Sequence, residues 1–420
     1  MIRARLFAGV ALAASLFGSS AAQALTLDDA VALALQHDPG LRRAQAEREA
    51  AHARVTEARA GGLPTVVAQA SASEASTDFG RFFGFGQHTL APRSAELAIT
   101  QPIFTGGAVS AAVSQAKAGE AAAGSSYAAA RLALVADVAE AYVAVSTAEQ
   151  ALALQQAQLE DLTLVRAQAQ RRFDDGEASR TDVDQAQARL SAARADLARG
   201  RGELARARAR YRTLVGEEPI GLEAPGEPPT TPASLDDAVT QARAGNPGVA
   251  AAEDAVRAAE AAVRRARAEG APTLALVAEA SSIRDQFLPG YQADGGAVGL
   301  QGRWPLFTGG LVSGKVSEAE AGVRAAEAAL DQARAASEEA TIDAWQARQT
   351  ADQGAAAADD QAKAAEGALD SVRNEVRVGA RPTLDLLDAE RDALAAHIGQ
   401  RLAEGARVVA AYRLMAAIGG

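Results

Sequence analysis

Hydrophobic residues recur at alternating spacings of three and four residues along two long stretches of the chain. The first seam consists of Val183, Ala186, Leu190, Ala193, Leu197, Gly200, Leu204, Ala207, Tyr211 and Leu214. The second seam consists of Val316, Ala319, Val323, Ala326, Leu330 and Ala333. This heptad pattern predicts helices that supercoil around a partner helix. Because many seam positions hold Ala or Gly, we expect the paired backbones to approach closely.

Proline positions set the limits of these helices. No proline lies within 103–218 or within 306–381, and proline inside a helix breaks it. Both intervals are rich in Ala, Gln, Glu, Arg and Leu, which are good helix formers. Turn signals near Gly176 and Gly379 divide each interval into a hairpin. The predicted hairpins span 108–214 and 311–417, with helices 108–172, 181–214, 311–376 and 384–417.

Four non-helical stretches precede the two hairpins in pairs. In the last of them, Val298 and Leu300 alternate with Gly299 and Gln301. Such alternation is typical of transmembrane barrel strands, although a soluble hairpin with one buried face produces it as well. Four strands cannot close a barrel, which needs about eight, so a barrel would require several copies of the chain. The predicted strands are 63–75, 93–104, 272–283 and 294–307.

The N-terminus predicts export. Residues 1–24 form a signal peptide pattern, with Arg3 and Arg5 before the apolar run 6–17 and an A-x-A cleavage site at 22–24. A retained anchor is the alternative, but the apolar run is shorter than the roughly 20 residues that span a membrane. The chain contains no Cys, which excludes disulfides, thiolate metal sites and lipid attachment to an N-terminal Cys.

Charge and motifs argue against several classes of function. Lys and Arg number 42 against 53 Asp and Glu, for a net charge of −11, whereas nucleic-acid binding needs a basic face. The four His residues show no metal-ligand spacing, and no nucleophile elbow, zinc-protease, P-loop or dinucleotide motif occurs. We therefore predict no enzyme activity, no cofactor, no metal site and no nucleic-acid partner.

The chain repeats itself. The LDDAV segment at 27–31 returns at 235–239, and PIFTGG at 102–107 returns as PLFTGG at 305–310. Such duplication predicts two copies of one structural unit, each with a helix, two strands and a long hairpin. The predicted organisation is a first repeat at 25–215, a Pro-rich linker at 216–233 and a second repeat at 234–420.

These repeated motifs, together with the turn-to-helix segment 379–389, resemble those of TolC-like outer membrane efflux proteins over essentially the whole mature length. The resemblance implies a mainly α chain with a small β part. It implies a homotrimer, in which long antiparallel coiled-coil helices form an α-barrel tunnel and four strands per protomer build a twelve-stranded transmembrane β-barrel. The implied function is a passive, gated exit duct of a tripartite efflux or type I secretion system. The implied partners are a periplasmic adaptor, an inner-membrane pump and outer membrane lipid, and the implied location is the outer membrane of a Gram-negative bacterium, extending into the periplasm.

The resemblance also implies a pore constriction. Asp385 and Asp388 lie at i and i+3, so they share a helix face. They match family positions that ring the periplasmic entrance with carboxylates, and such rings select and bind cations. The alternative is local: the helix macrodipole favours acids in a first turn, and Thr383 is a possible N-cap.

Arg381, Thr181 and Asp182 match family positions that close the entrance through polar links between the inner and outer coiled coils. The alternative for Asp182 is a purely local role as a helix N-terminal acid, with Ser179 three residues earlier.

Gly176 and Gly379 lie at the hairpin tips, which dock the adaptor in the family. They are equally compatible with a simple role as left-handed turn residues. Trp304 is a candidate for the membrane interface, as in aromatic girdles, or for a cap at the base of the barrel.

Two other classes of protein compete with the duct. A periplasmic adaptor would have a single coiled-coil hairpin flanked by lipoyl-like β segments, whereas this chain has two hairpins, each preceded by a strand pair. A purely structural coiled-coil protein would not need the alternating strands.

Overall fold

A computed structural model describes residues 25–78, 87–286, 288 and 290–420, so the predicted signal peptide at 1–24 lies outside the described residues. The described chain is mainly helical with a small β part, as predicted. The helices are α1 Leu27–His37, α2 Pro39–Ala60, α3 Ala108–Asp174, α4 Arg180–Val215, α5 Leu235–Gly245, α6 Pro247–Ala268, α7 Leu311–Arg377 and α8 Thr383–Ile418. The strands are β1 Thr65–Ala72, β2 Ala75–Asp78, β3 Gln87–Leu90, β4 Arg93–Phe104, β5 Thr273–Arg284 and β6 Gln292–Arg303.

Each helix in the first half has a counterpart of equal length in the second. The lengths are 11, 22, 67 and 36 residues in chain order in both halves. A helix of 67 residues is about 100 Å long at 1.5 Å per residue. Each long helix packs against the shorter one that follows it, α3 with α4 and α7 with α8. None of the described helices contains a segment both long and apolar enough to cross a membrane.

Local sequence explains where the short helices begin. Asp38 caps α2 through a 2.6 Å hydrogen bond from the Leu41 amide, and Asn246 caps α6 through the amides of Gly248 and Val249. In both helices a proline follows the cap at the first helical position, where its missing N–H costs nothing. The two halves therefore use the same start signal.

The main sheet is antiparallel, with strand order β1-β4-β5-β6. Its register places Val66, Ile99, Ala278 and Val298 side by side across the four strands, so they share one face. That face is apolar yet exposed, with Val298 exposed by 76%. Because neighbours along a strand point to opposite faces, Glu279 lies on the other side. The predicted alternation is therefore present in the folded sheet.

Two predicted strands differ from the observed ones. The strand predicted at 63–75 ends at Ala72, and the chain then enters a separate two-stranded sheet of β2 and β3. The strand predicted at 294–307 ends at Arg303, before Trp304. Pro305 has no N–H to donate to a neighbouring strand, which explains why pairing stops there.

The largest apolar core lies where α1, α3 and α4 meet. Tyr142 and Tyr211 are fully buried in it, with ring centroids 6.5 Å apart. The Tyr142 hydroxyl donates to the carbonyl oxygens of Leu25 at 2.8 Å and Glu223 at 2.9 Å, which ties the linker to α3. Burial raises the pKa of each tyrosine to about 12. A second core, around Trp345, joins α5, α7 and α8.

Candidate gate at the hairpin tips

Both hairpins end in the same turn. Gly176 and Gly379 have φ values of 78° and 77°, a conformation that glycine adopts without the steric cost of a Cβ. The amide of the residue after each glycine bonds back to the helix: Glu177 to the Arg172 carbonyl at 2.7 Å, and the equivalent amide of the second tip at 2.8 Å. These are Schellman turns. In the part of the chain that the structure describes, nothing lies within 4 Å of a Cβ added at either glycine, so both tips are open surfaces.

The helix that carries the two predicted ring carboxylates begins immediately after the second tip. Pro382 is its N-cap and no side chain caps it, so the suggested Thr383 cap is wrong. Asp385 lies in the first turn, where the macrodipole favours an acid. Its carboxylate is 3.6 Å from the Arg381 guanidinium, and its side chain is 40% exposed.

Asp388, one turn further along α8, contacts a different helix. Its carboxylate accepts a 2.5 Å hydrogen bond from Arg189 of α4. Arg391 lies 3.9 Å from the same oxygen, although its shorter ion pair, at 3.0 Å, is with Asp392. Both predicted ring carboxylates therefore lie beside a guanidinium in the single chain.

Within one chain, the predicted gate-link residues form contacts other than the predicted links. Arg381 pairs with Glu375 at 2.6 Å and with Asp385. Asp182 forms a capping box with Ser179, whose amide and hydroxyl both donate to it at 2.9 Å. These hydrogen bonds hold the pKa of Asp182 below its usual value. The local role of Asp182 is thus present, and its link with Thr181 to Arg381 stays a prediction.

Two charged contacts between the hairpins are not predicted from the sequence. One is the Arg189–Asp388 pair. The other is Glu140 of α3, which accepts hydrogen bonds from Arg413 of α8 at 2.7 Å and Arg210 of α4 at 3.0 Å. Although burial opposes them, these two guanidiniums lower the pKa of Glu140 below its usual value. No periodicity or motif distinguishes these arginines from the others on the same helices.

Glu390 lies two residues after Asp388 on α8 and is half-buried. One oxygen of Glu390 is buried without a hydrogen-bond partner among the described residues. Burial, and then the charge of Asp161 on α3, raise the pKa of Glu390, while Arg373 on α7 opposes the rise. Within the described chain, no group of three or more His, Asp or Glu residues is arranged to hold a metal ion.

At the opposite end of the hairpins, apolar side chains surround the base of the sheet. Trp304 is 64% exposed, and the following Leu306 and Phe307 are 80% and 90% exposed. Ile103 and Phe104 at the end of β4 are also more than half exposed. Exposed aromatic and aliphatic residues at a strand end are typical of a membrane interface.

Paired long helices together with a sheet that exposes an apolar face are characteristic of one class of channel subunits, those that combine a helical tunnel with a barrel. The chain belongs to the outer membrane efflux protein family, whose sequence profile matches residues 30–217 and 238–420. The two matched segments correspond to the two halves of the fold.

Three individual proteins are similar to this chain. The outer membrane efflux protein BepC of Brucella suis biovar 1 (strain 1330) is 28% identical over 281 residues, covering 66% of this chain and 61% of BepC, so the match spans less than two thirds of that relative. The open state of the Neisseria gonorrhoeae outer membrane channel MtrE is similar with a TM-score of 0.78 and 25% identity, covering 94% of this chain and 89% of MtrE. The Vibrio cholerae outer membrane protein VceC has the same TM-score of 0.78 at 24% identity, covering 94% of this chain and 96% of VceC.

Proposed function

We propose that this protein is an outer membrane exit duct of a tripartite efflux or type I secretion system. The observation that carries the proposal is the combination of two helical hairpins, about 100 Å long, with a sheet that exposes an apolar face. Membership of the outer membrane efflux protein family supports the same conclusion. Transport through such a duct is passive, because a pump supplies the energy and this chain supplies a gated path to the exterior.

The duct is a homotrimer in this proposal. Within the described chain, the main sheet has two free edges, β1 and β6, and free edges of this length invite pairing with another chain. Since all neighbouring strands are antiparallel, the two edge strands run in opposite directions. The β6 edge of one copy can therefore pair antiparallel with the β1 edge of the next. Three copies give twelve strands, which exceeds the practical minimum of about eight.

The partners follow from the two ends of the molecule. The open tips at Gly176 and Gly379 are the docking points for a periplasmic adaptor, which connects the duct to an inner-membrane pump. The open space around both glycines supports this role. At the other end, Trp304 and the adjacent apolar residues contact outer membrane lipid. The signal peptide at 1–24 directs export, and the repeats at 25–215 and 234–420 are copies of one unit.

In the trimer, Asp385 and Asp388 form the ring of carboxylates at the periplasmic constriction, and Arg381, Thr181 and Asp182 supply the polar links between the inner and outer coiled coils that close the entrance. Three copies concentrate six carboxylates around one axis, and such a ring binds cations. The half-exposed side chains of the two aspartates support this arrangement.

The alternatives have less support. The comparisons give no support to a periplasmic adaptor, since the family profile matches both halves and the fold contains two hairpins. The family and the fold are those of channel proteins, and we propose that the chain carries no catalytic activity.

The test is single-channel recording from the mature protein in a planar lipid bilayer. We expect small, stable, cation-selective current steps that divalent cations block from the periplasmic side. Asp385→Asn should weaken this block and the cation selectivity. If a folded trimer forms no channels, the proposal that this protein is an exit duct is wrong.

A further inference from the structure

The apolar face of the main sheet ends in a pair of arginines. The register places Arg93 of β4 directly opposite Arg284 of β5. Because side chains two residues apart on a strand point to the same face, Arg93 lies on the same face as Leu97 and Ile99, which are both exposed. Like charges directly opposite each other destabilise a strand pair, so two arginines at these positions require negative charge nearby.

One carboxylate supplies part of that charge. Asp294 of β6 binds one edge of the Arg284 guanidinium, with its two oxygens 2.9 Å from Nη1 and 3.0 Å from Nη2. Nη1 also donates to the carbonyl oxygens of Ile283 at 2.9 Å and Ala293 at 3.4 Å, which fixes the position of the group. Among the described residues, the Nε of Arg284 forms no hydrogen bond and Arg93 has no ion pair. Two arginines therefore share one carboxylate, and the guanidinium edge formed by Nε and Nη2 is left for a further acceptor.

The arginine pair lies about one membrane thickness from the base of the sheet. Arg284 is ten residues beyond Leu274 on β5 (284 − 274), or about 33 Å along the strand at 3.3 Å per residue. A strand tilt of about 40° reduces this to a height of about 25 Å, which is the usual extent of the apolar band of a barrel. Since the hairpins at the base extend into the periplasm, the two arginines lie at the exterior surface of the membrane.

Assembly of the trimer leaves the arginine pair accessible. Arg93 and Arg284 are on the two middle strands of the four-stranded sheet, whereas copies join through the edge strands β1 and β6. Arg93 is exposed, and the side chain of Arg284 is 35% exposed. Each protomer therefore presents one such pair to the surrounding lipid.

We propose that Arg93 and Arg284 bind a phosphate group of a lipid in the outer leaflet. A guanidinium edge matches two phosphate oxygens in a bidentate geometry, and basic side chains next to a membrane-spanning apolar surface recognise lipid headgroups in this way. The lipid is a phosphorylated glycolipid of the lipid A type, because the exterior leaflet of a Gram-negative outer membrane consists of such lipids. This inference rests on the proposed duct function, and it adds a ligand on the outside of the barrel, away from the transport path.

Native mass spectrometry of purified trimers with added lipid A tests the site. The wild type should bind one diphosphorylated lipid A per protomer, and lipid A without phosphate should bind much more weakly. R93Q/R284Q should lower the affinity by about ten-fold or more, because charge-assisted hydrogen bonds to the phosphate are lost. R284K keeps the charge but not the planar fork and should bind with intermediate affinity. The control R303Q, at the other end of β6 and on the opposite face, should bind like the wild type.

Three outcomes would overturn the lipid site. The first is that R93Q/R284Q binds lipid A as tightly as R303Q does. The second is that R284K binds like the wild type, since the open guanidinium edge would then not hold the phosphate. The third is that inorganic phosphate displaces lipid A at equal concentration, since the site would then recognise free phosphate and not a lipid.

Single-channel recording from the same trimers tests the duct separately. R93Q/R284Q should form channels with the conductance of the wild type, because the arginine pair lies outside the pore. If the wild type forms channels but binds lipid A no better with phosphate than without it, the lipid site is wrong while the duct stands. A folded wild-type trimer without channels would instead contradict the duct.

Discussion

Close packing between the two hairpins can be tested at Gly405 of α8. A Cβ added there would lie 2.6 Å from the Cγ1 of Val143 and 3.0 Å from the Cγ2 of Thr147, both on α3. Real Cβ atoms do not approach other atoms this closely, so Gly405→Ala forces α3 or α8 to move. The two side chains cannot turn away easily, because both are β-branched and the Thr147 hydroxyl donates to the Val143 carbonyl at 2.8 Å.

Two opposing effects determine how much Gly405→Ala changes the free energy of unfolding. An extra methyl group in a packed interface costs about 1–3 kcal/mol, and replacing a helical glycine with alanine stabilises by about 0.5–1 kcal/mol. Gly405→Ala should therefore lower the free energy of unfolding by up to about 2.5 kcal/mol. At Gly399, on the same helix, an added Cβ would have no atom of the described chain within 4 Å. Gly399→Ala should stabilise by about 0.5–1 kcal/mol.

Thermal or denaturant unfolding of the purified variants, followed by circular dichroism, measures both effects. The difference between the two variants isolates the cost of overpacking, since the backbone contribution of glycine is common to both. If Gly405→Ala proves as stable as Gly399→Ala, then α3 and α8 are not in close contact and the arrangement of the two hairpins is wrong.

Three further predictions concern stability and the turns. Tyr142 and Tyr211 should stay protonated up to about pH 12 in the folded protein, since burial raises the pKa of both, as seen by tyrosinate absorbance. Because the unfolded chain loses these protons near pH 10, stability should fall as the pH rises from about 10 to about 12, and Tyr142→Phe should reduce that fall. Gly379→Ala, at a φ of 77°, should destabilise the turn by about 1–2 kcal/mol and speed amide hydrogen exchange at the tip. The control Gly367→Ala, in open space within α7, should leave the exchange at the tip unchanged. Ser179→Ala removes the cap of α4, costs about 1 kcal/mol, and should increase proteolysis at the adjacent turn; unchanged cleavage would show that the cap is not needed.

Several features of the gate region were predictable because their causes are local. Glycine at both tips follows from a turn that needs a positive φ, and Ser179 three residues before Asp182 is a capping pattern. Other features were not. Thr383 has the right chemistry for an N-cap, yet the cap lies one residue earlier, at Pro382, and Thr383 is the first helical residue. Boundaries of this kind depend on the direction in which the chain leaves the preceding turn.

By itself the sequence determined the duplicated order of elements, the long helices and the alternation of the strands. These depend on proline positions and on periods of 3.5 and 2 residues, which act over short distances along the chain. Only the tertiary structure decided which charged side chains meet. Arg189 and Asp388 are 199 residues apart in the sequence, and Glu140 and Arg413 are 273 apart. A heptad pattern determines which face of a helix is apolar. The partners of charged side chains on the polar faces depend instead on how one hairpin is rotated and shifted along the other. Close packing between the hairpins, as at Gly405, sets that rotation and shift.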